Sequence, residues 1–223
     1  FSNASLKIQR GEKIALVGLN GAGKSTLSRI LSGTESLSRG SVKFGYNVTT
    51  AFYSQQTADN LDYSRTVWES LSGRKHDWSA QEKRNLLGAF LFSGEDIYKP
   101  VQVLSGGEKS RLSLLKILME DANFLILDEP TNHLDMQTKD LFQRALLEYD
   151  GTLVIVSHDR YFLDNLATRI VEIASGSLID YPGNYSEFIE KRRLSSSGSE
   201  ERELSPAFKE DGVKERKRAE AEK

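Results

Sequence analysis

A glycine-rich run, Gly18-Leu19-Asn20-Gly21-Ala22-Gly23-Lys24-Ser25, restricts this chain more than any other feature. It matches the pattern G-x-x-x-x-G-K-S and lies between an apolar stretch and a helical pattern. The glycines let the backbone curl so that successive N–H groups face inward. A helix opening near Lys24 adds the positive end of its dipole. Lys24 is then placed to reach the terminal phosphates of a bound triphosphate, and the Ser25 hydroxyl to ligate Mg²⁺. Thr26 follows in the same turn and is counted with the phosphate contacts. Upstream, Lys13–Gly18 is nearly all apolar. Downstream, Leu27, Ile30 and Leu31 recur at helical spacing. A strand, a phosphate loop and a helix in that order belong in a largely parallel α/β sheet.

Phe124–Asp128 and Thr152–Ser157 read as two further strands, apolar enough to be buried on both faces. The first delivers Asp128 and Glu129 at its C-terminal end, where open α/β sheets bind ligands. Adjacent residues leave a strand in opposite directions, so the two acids take different jobs. Asp128 suits the Mg²⁺ shell, directly or through water. Glu129 suits the base that polarises an attacking water. In isolation such acids read as a solvated strand end. A phosphate loop on the same sheet favours the catalytic reading.

A second glycine motif, Leu104-Ser105-Gly106-Gly107-Glu108, precedes a helical pattern from Lys109 to Glu120, with Leu112, Leu115 and Met119 on one face. Ser105 is a good N-cap and the glycines expose the first N–H groups. This is an anion site without a lysine of its own. It is either an ordinary capped helix start or a contact to a phosphate held by another domain.

Composition closes off several classes. Apolar residues are 38% and charged residues 28%, as in an ordinary globular domain. A net charge of −2 argues against a strongly basic nucleic-acid binder. With no cysteine there is no disulfide and no thiolate metal site, which fits a cytoplasmic setting. No apolar run approaches the roughly 18 to 20 residues that cross a bilayer, and no signal peptide is visible. Any work at a membrane then needs another chain for the spanning part. No initiator Met opens the sequence and a charged run closes it, so it reads as a piece of a longer protein. His76 and His133 lack metal-site spacing.

The phosphate loop, Leu104-Ser-Gly-Gly-Glu108 and Ile126-Leu-Asp-Glu129 together resemble an ATP-binding-cassette domain. The resemblance implies a P-loop NTPase fold of the ABC type, with a mixed sheet and a small helical insertion. It implies ATP and Mg²⁺ as ligands and ATP hydrolysis as the activity. It further implies that Ser105, Gly106, Gly107 and Glu108 act in trans on ATP bound to a second cassette. A glutamine contacting Mg²⁺ and water matches Gln55, with Gln56 the weaker candidate. Asp135 resembles the loop that couples opposing sites. His158 matches the switch histidine that touches the γ-phosphate.

Thr131-Asn132-His133-Leu134-Asp135, Glu108-Lys-Ser-Arg-Leu112, Ser157-His-Asp-Arg-Tyr-Phe-Leu163 and Tyr181-Pro-Gly-Asn-Tyr-Ser-Glu-Phe188 narrow the resemblance to the ABC-F group. Members carry two cassettes on one chain and act on the ribosome, as translation factors or resistance proteins. Phe90-Leu-Phe-Ser-Gly-Glu-Asp96 resembles the second cassette. The implied partners are the other cassette (or a second copy of this chain) and the ribosome with its rRNA and tRNA. The alternatives are a transporter's ATPase subunit and a DNA- or RNA-organising ATPase. The span from Gln55 to Leu104 leaves no room for the long coiled coil of the latter. The family's adenine-stacking aromatic lies on a strand before the phosphate loop. Its matching position is expected to fall outside this chain, and Phe1 is read as a core residue.

The expected organisation is a nucleotide-binding domain over 1–190, with a helical insertion at about 64–104 carrying Trp68, Trp78, Leu86, Leu87, Phe90 and Leu91. Residues 191–223 are expected to be a flexible linker (Ser195 to Gly212) and the start of a charged extension from Val213 to Lys223. Lys191-Arg192-Arg193 and Lys214 to Arg218 alternate with glutamates and read as solvated surface.

Overall fold

The computed structural model describes residues 4–54, 61–71, 79–132 and 134–203. Phe1, Gln55, Gln56, His76, Trp78 and His133 lie outside the described residues, as does the charged stretch from Val213 to Lys223. The chain divides into two units, Phe1–Phe188 and Ile189–Lys223.

The larger unit is built on a sheet of β1 (Lys13–Gly18), β2 (Thr50–Tyr53), β3 (Phe124–Asp128), β4 (Thr152–Val156), β5 (Arg169–Ala174) and β6 (Ser177–Pro182), in the order β2-β3-β4-β1-β5-β6. All neighbours are parallel except β5 and β6, which form a hairpin. The sheet is therefore mixed. Every residue of β3 and β4 is buried, as strands covered on both faces must be. β6 at the edge is largely exposed, with Leu178 and Tyr181 half-buried.

The side-chain period of two divides the core. Ile14, Leu16, Ile126, Val154, Val156, Val171 and Ile173 share one face with Leu27 from α1 (Lys24–Ser32). The alternate residues Ala15, Leu125, Leu127, Leu153 and Ile155 are equally buried. Each such aliphatic side chain contributes about 1.5–3 kcal/mol on burial. On the remaining helices, Leu112, Leu114 and Leu115 of α4 (Gly106–Leu118) are fully buried. Phe142 of α5 (Met136–Glu148) stacks on Phe162 of α6 (Arg160–Leu166), with ring centroids 6.0 Å apart.

Among the described residues between β2 and α4 lie two short helices, α2 (Val67–Ser70) and α3 (Ala80–Ala89), and two 3₁₀ turns, Gly94–Tyr98 and Val101–Val103. Leu87, Phe90 and Phe92 are buried there, while Leu86 and Leu91 are half-buried. α4 starts at Gly106 rather than at Lys109, because Ser105 caps it directly. The final helix, α7, runs Tyr185–Glu203. Its residues Ser195 to Glu203 are helical where the composition favours a linker. Serine and glutamate weaken a helix only mildly, so a helix already nucleated at Tyr185 runs through them.

Candidate nucleotide site

The site follows from strand order. β3, β4 and β1 are adjacent and parallel, so their C-terminal ends emerge side by side. β1 ends in the Gly18–Ser25 loop, β3 ends in Asp128 and Glu129, and β4 leads into Ser157 and His158. Three strings far apart in sequence thus meet at one edge of the sheet. β2 ends beside β3, and Gln55 follows two residues after it but lies outside the described residues.

The loop has the backbone that the glycines allow. Gly21 and Gly23 take φ of 78° and 103°, in the left-handed region. At Gly18 a side chain is excluded sterically: a Cβ would stand 2.6 Å from the Ile173 carbonyl oxygen. Leu19, Asn20 and Gly21 are exposed, with Ala22 to Thr26 half-buried. The Ala22 amide donates to the Leu19 carbonyl at 3.1 Å and closes the turn. Gly23 is the N-cap of α1, with no side chain bonding the first amides. Lys24 folds back, and its Nζ donates to the Gly18 and Leu19 carbonyls at 3.0 and 3.2 Å.

Asp128 is buried, and its Oδ1 makes no hydrogen bond. Glu129 has φ of 51°, a left-handed backbone that is strained for a residue with a side chain. Its amide donates to the Val156 carbonyl at 2.8 Å, tying it to the tip of β4. Neither carboxylate oxygen has a hydrogen bond of ordinary geometry, though both are shielded from solvent. Oε1 stands 3.4 Å from Nε2 of the exposed His158. Burial pushes the Glu129 carboxyl above the usual carboxylate range, with His158 opposing that shift and Asp128 reinforcing it. A carboxylate raised in this way is suited to holding a proton taken from water. Buried carboxylate oxygens without donors also fit a divalent cation, a Lewis acid for which oxygen ligands are the right chemistry.

The second glycine motif is arranged differently. Ser105 Oγ accepts from the Glu108 amide, and Glu108 Oε2 accepts from the Ser105 amide at 2.8 Å and from its hydroxyl at 2.6 Å. This closed capping box occupies both side chains, with Gly106 exposed and Gly107 half-buried above it. Those Ser105 bonds hold the Glu108 carboxyl below the usual range. Asp135 caps α5, accepting from the Thr138 amide and hydroxyl at 2.9 Å each, and pairs with Arg111 of α4 at 3.2 Å.

Arg111, Thr131 and Ser157 fall within the strings that carry the family resemblance, but the sequence assigns none of them a role of its own. Thr131 Oγ1 and Ser157 Oγ are 3.1 Å apart and buried, on the segments that carry Glu129 and His158. No local pattern announces a contact between residues so distant in the chain. The Ser105–Glu108 box, by contrast, was readable from its S-x-x-E spacing.

A family model described as ABC transporter matches residues 1–132. ABC transporter F family member 2 of Arabidopsis thaliana is 41% identical over 204 residues, covering 91% of this chain and 30% of that protein. The Energy-dependent translational throttle protein EttA of Escherichia coli K12 is 40% identical over 211 residues, covering 92% and 38%. The archaeal ribosome recycling factor aABCE1, solved with the ribosomal stalk protein aP1, superposes with a TM-score of 0.68 at 29% identity, over 84% of this chain and 37% of that one. The chain thus spans about a third of the length of the curated relatives it matches.

Proposed function

Since this chain belongs to the ABC transporter family of ATP-binding cassettes, we propose that it binds and hydrolyses Mg·ATP as one cassette of an ABC-F protein working on the ribosome. The observation that carries the hydrolytic half is the meeting of Lys24, Glu129 and His158 at three neighbouring strand ends.

In this reading the amides of Gly21 to Ser25 cradle the phosphates at the uncapped start of α1. Lys24 exchanges its two carbonyl partners for the terminal phosphate oxygens. Ser25 and Asp128, with Gln55, would hold Mg²⁺, which would neutralise charge on the phosphates. Glu129 orients and polarises the attacking water, and His158 contacts the γ-phosphate while steadying the Glu129 carboxylate. Ser105 and Gly107 reach ATP bound to the other cassette, and Asp135 carries the coupling between the two sites. Binding energy from sandwiched ATP drives closure of the pair.

Ribosome action is supported by the kinds of relative found: one is named a translational throttle and another a ribosome recycling factor. Among the described residues no helix is long and apolar enough to cross a membrane. The test is cosedimentation of the two-cassette protein carrying Glu129→Gln and the matching change in its other cassette. ATP is expected to trap it on ribosomes. ATP-dependent retention on membrane vesicles, with none on ribosomes, contradicts the proposal.

A further inference from the structure

Glu129 is tied to the tip of β4 through its amide and faces His158 through its carboxylate. Its backbone is left-handed at φ 51°, and its carboxylate lacks a hydrogen bond of ordinary geometry. Its amide bond to Val156 fixes one end of the residue at 2.8 Å, and among the described residues its carbonyl receives a long bond from the Asn132 amide at 3.4 Å. His158 likewise presents an exposed ring. A second contact joins the same two loops.

The hydroxyls of Thr131 and Ser157 make that contact. Thr131 is 3% exposed and Ser157 7%. Their oxygens are 3.1 Å apart, and Ser157 Oγ also accepts the Asp159 amide at 3.1 Å. Thr131 lies two residues after Glu129. Ser157 immediately precedes His158 and bonds the residue immediately after it. The pair therefore joins the two segments that carry the acid and the imidazole. The sheet does not need this bond for its register, since β3 and β4 pair along their length from Phe124 with Thr152 to Asp128 with Val156. What the hydroxyls add lies beyond the strand tips.

We infer that Thr131 and Ser157 are positioning residues, a buried hydroxyl clasp that keeps Glu129 in its left-handed conformation within reach of His158. Neither touches substrate, and both act through their neighbours. The inference rests on the hydrolytic reading of the site for its catalytic consequence, but not for its structural one.

Thr131→Val keeps the shape and removes the hydroxyl, leaving Ser157 with an unmet hydrogen-bonding capacity. Thr131→Ser keeps the hydroxyl. Two measurements decide the matter: backbone amide exchange in this chain without nucleotide, and kcat and KM for Mg·ATP in the two-cassette protein. Thr131→Val is expected to speed exchange at Glu129 and Asp159 roughly tenfold, with Leu125 to Leu127 unchanged. It is expected to lower kcat roughly tenfold with KM within about twofold. Thr131→Ser restores both. Unchanged exchange at Glu129 in Thr131→Val overturns the clasp. So does loosening that spreads through β3, or a serine variant as impaired as the valine one. Absence of hydrolysis in the unmutated two-cassette protein sinks the ATPase reading instead, while the exchange data still decide the clasp.

Discussion

Two helices in this molecule open at glycine motifs, and their first turns are in opposite states. α1 starts at Lys24 behind a Gly23 cap, with no side chain over its leading amides, and Lys24 is parked on two loop carbonyls. α4 starts at Gly106 behind Ser105 in a complete capping box, its serine and glutamate bonded to each other. Helix N-termini attract anions through the same orphan N–H groups in both cases. The difference lies in what already occupies them. α1 is open to a phosphate as it stands. α4 already carries its own side-chain cap, so an anion there meets the Ser105 hydroxyl and glycine amides above a cap that is already closed. A loop that grips and a motif that completes a partner's site are expected to differ in this way.

The comparison breaks if the first edge proves dispensable. Glu129→Gln is expected to lower turnover by on the order of 10² to 10⁴ with ATP affinity unchanged, measured by phosphate release beside equilibrium binding. Normal turnover in that variant moves the chemistry away from β3. The same change is expected to stabilise the fold by roughly 1 kcal/mol at neutral pH, because it removes a buried carboxylate that lacks good donors. The sign follows from the raised Glu129 carboxyl: its destabilising effect is present above the ordinary carboxylate pKa and fades as acid protonates it. Denaturant melts of both proteins across pH 4 to 8 check this.

Lys24→Ala is expected to weaken ATP binding by about 10- to 100-fold, the loss of a charged hydrogen-bond donor to phosphate. Ser105→Ala is expected to leave the ATP affinity of the lone chain unchanged and to cost about 1 kcal/mol of stability through the lost cap. Calorimetric titration and thermal melts of the two variants sharpen the contrast. Equal losses of affinity would erase it.

The smallest effect comes from Glu108→Gln. The Glu108 carboxyl is held below its usual range by Ser105, so its contribution to the α4 cap is full above pH 4.5 and is lost as pH falls through its lowered value. The melting-temperature gap between Glu108→Gln and the unmutated chain is therefore expected to be small and to close in acid. A gap that widens in acid contradicts the capping geometry.

Much of this architecture can be read from the sequence for identifiable reasons. The runs KIALVG, FLILD and TLVIV are apolar because they are buried on both faces, so strands β1, β3 and β4 announce themselves. The phosphate loop is legible because its glycines satisfy a backbone demand that no other residue meets at Gly18. Strand order is not legible, since parallel crossovers leave no local signal. Nor is the Thr131–Ser157 contact, which joins two ordinary loop residues. Glu108 sits between these cases: the family resemblance assigns it to a partner's ATP, while its spacing from Ser105 already describes the cap that the structure contains.

The central claim is that the loop after β1 grips a triphosphate while Glu129 readies water. A crystal structure of the Glu129→Gln chain with Mg·ATP tests it most directly. The account predicts Lys24 Nζ released from the Gly18 and Leu19 carbonyls and bonded to the terminal phosphate, with residue 129 facing that phosphorus. Nucleotide bound elsewhere, with Lys24 still folded onto its own loop, would contradict it.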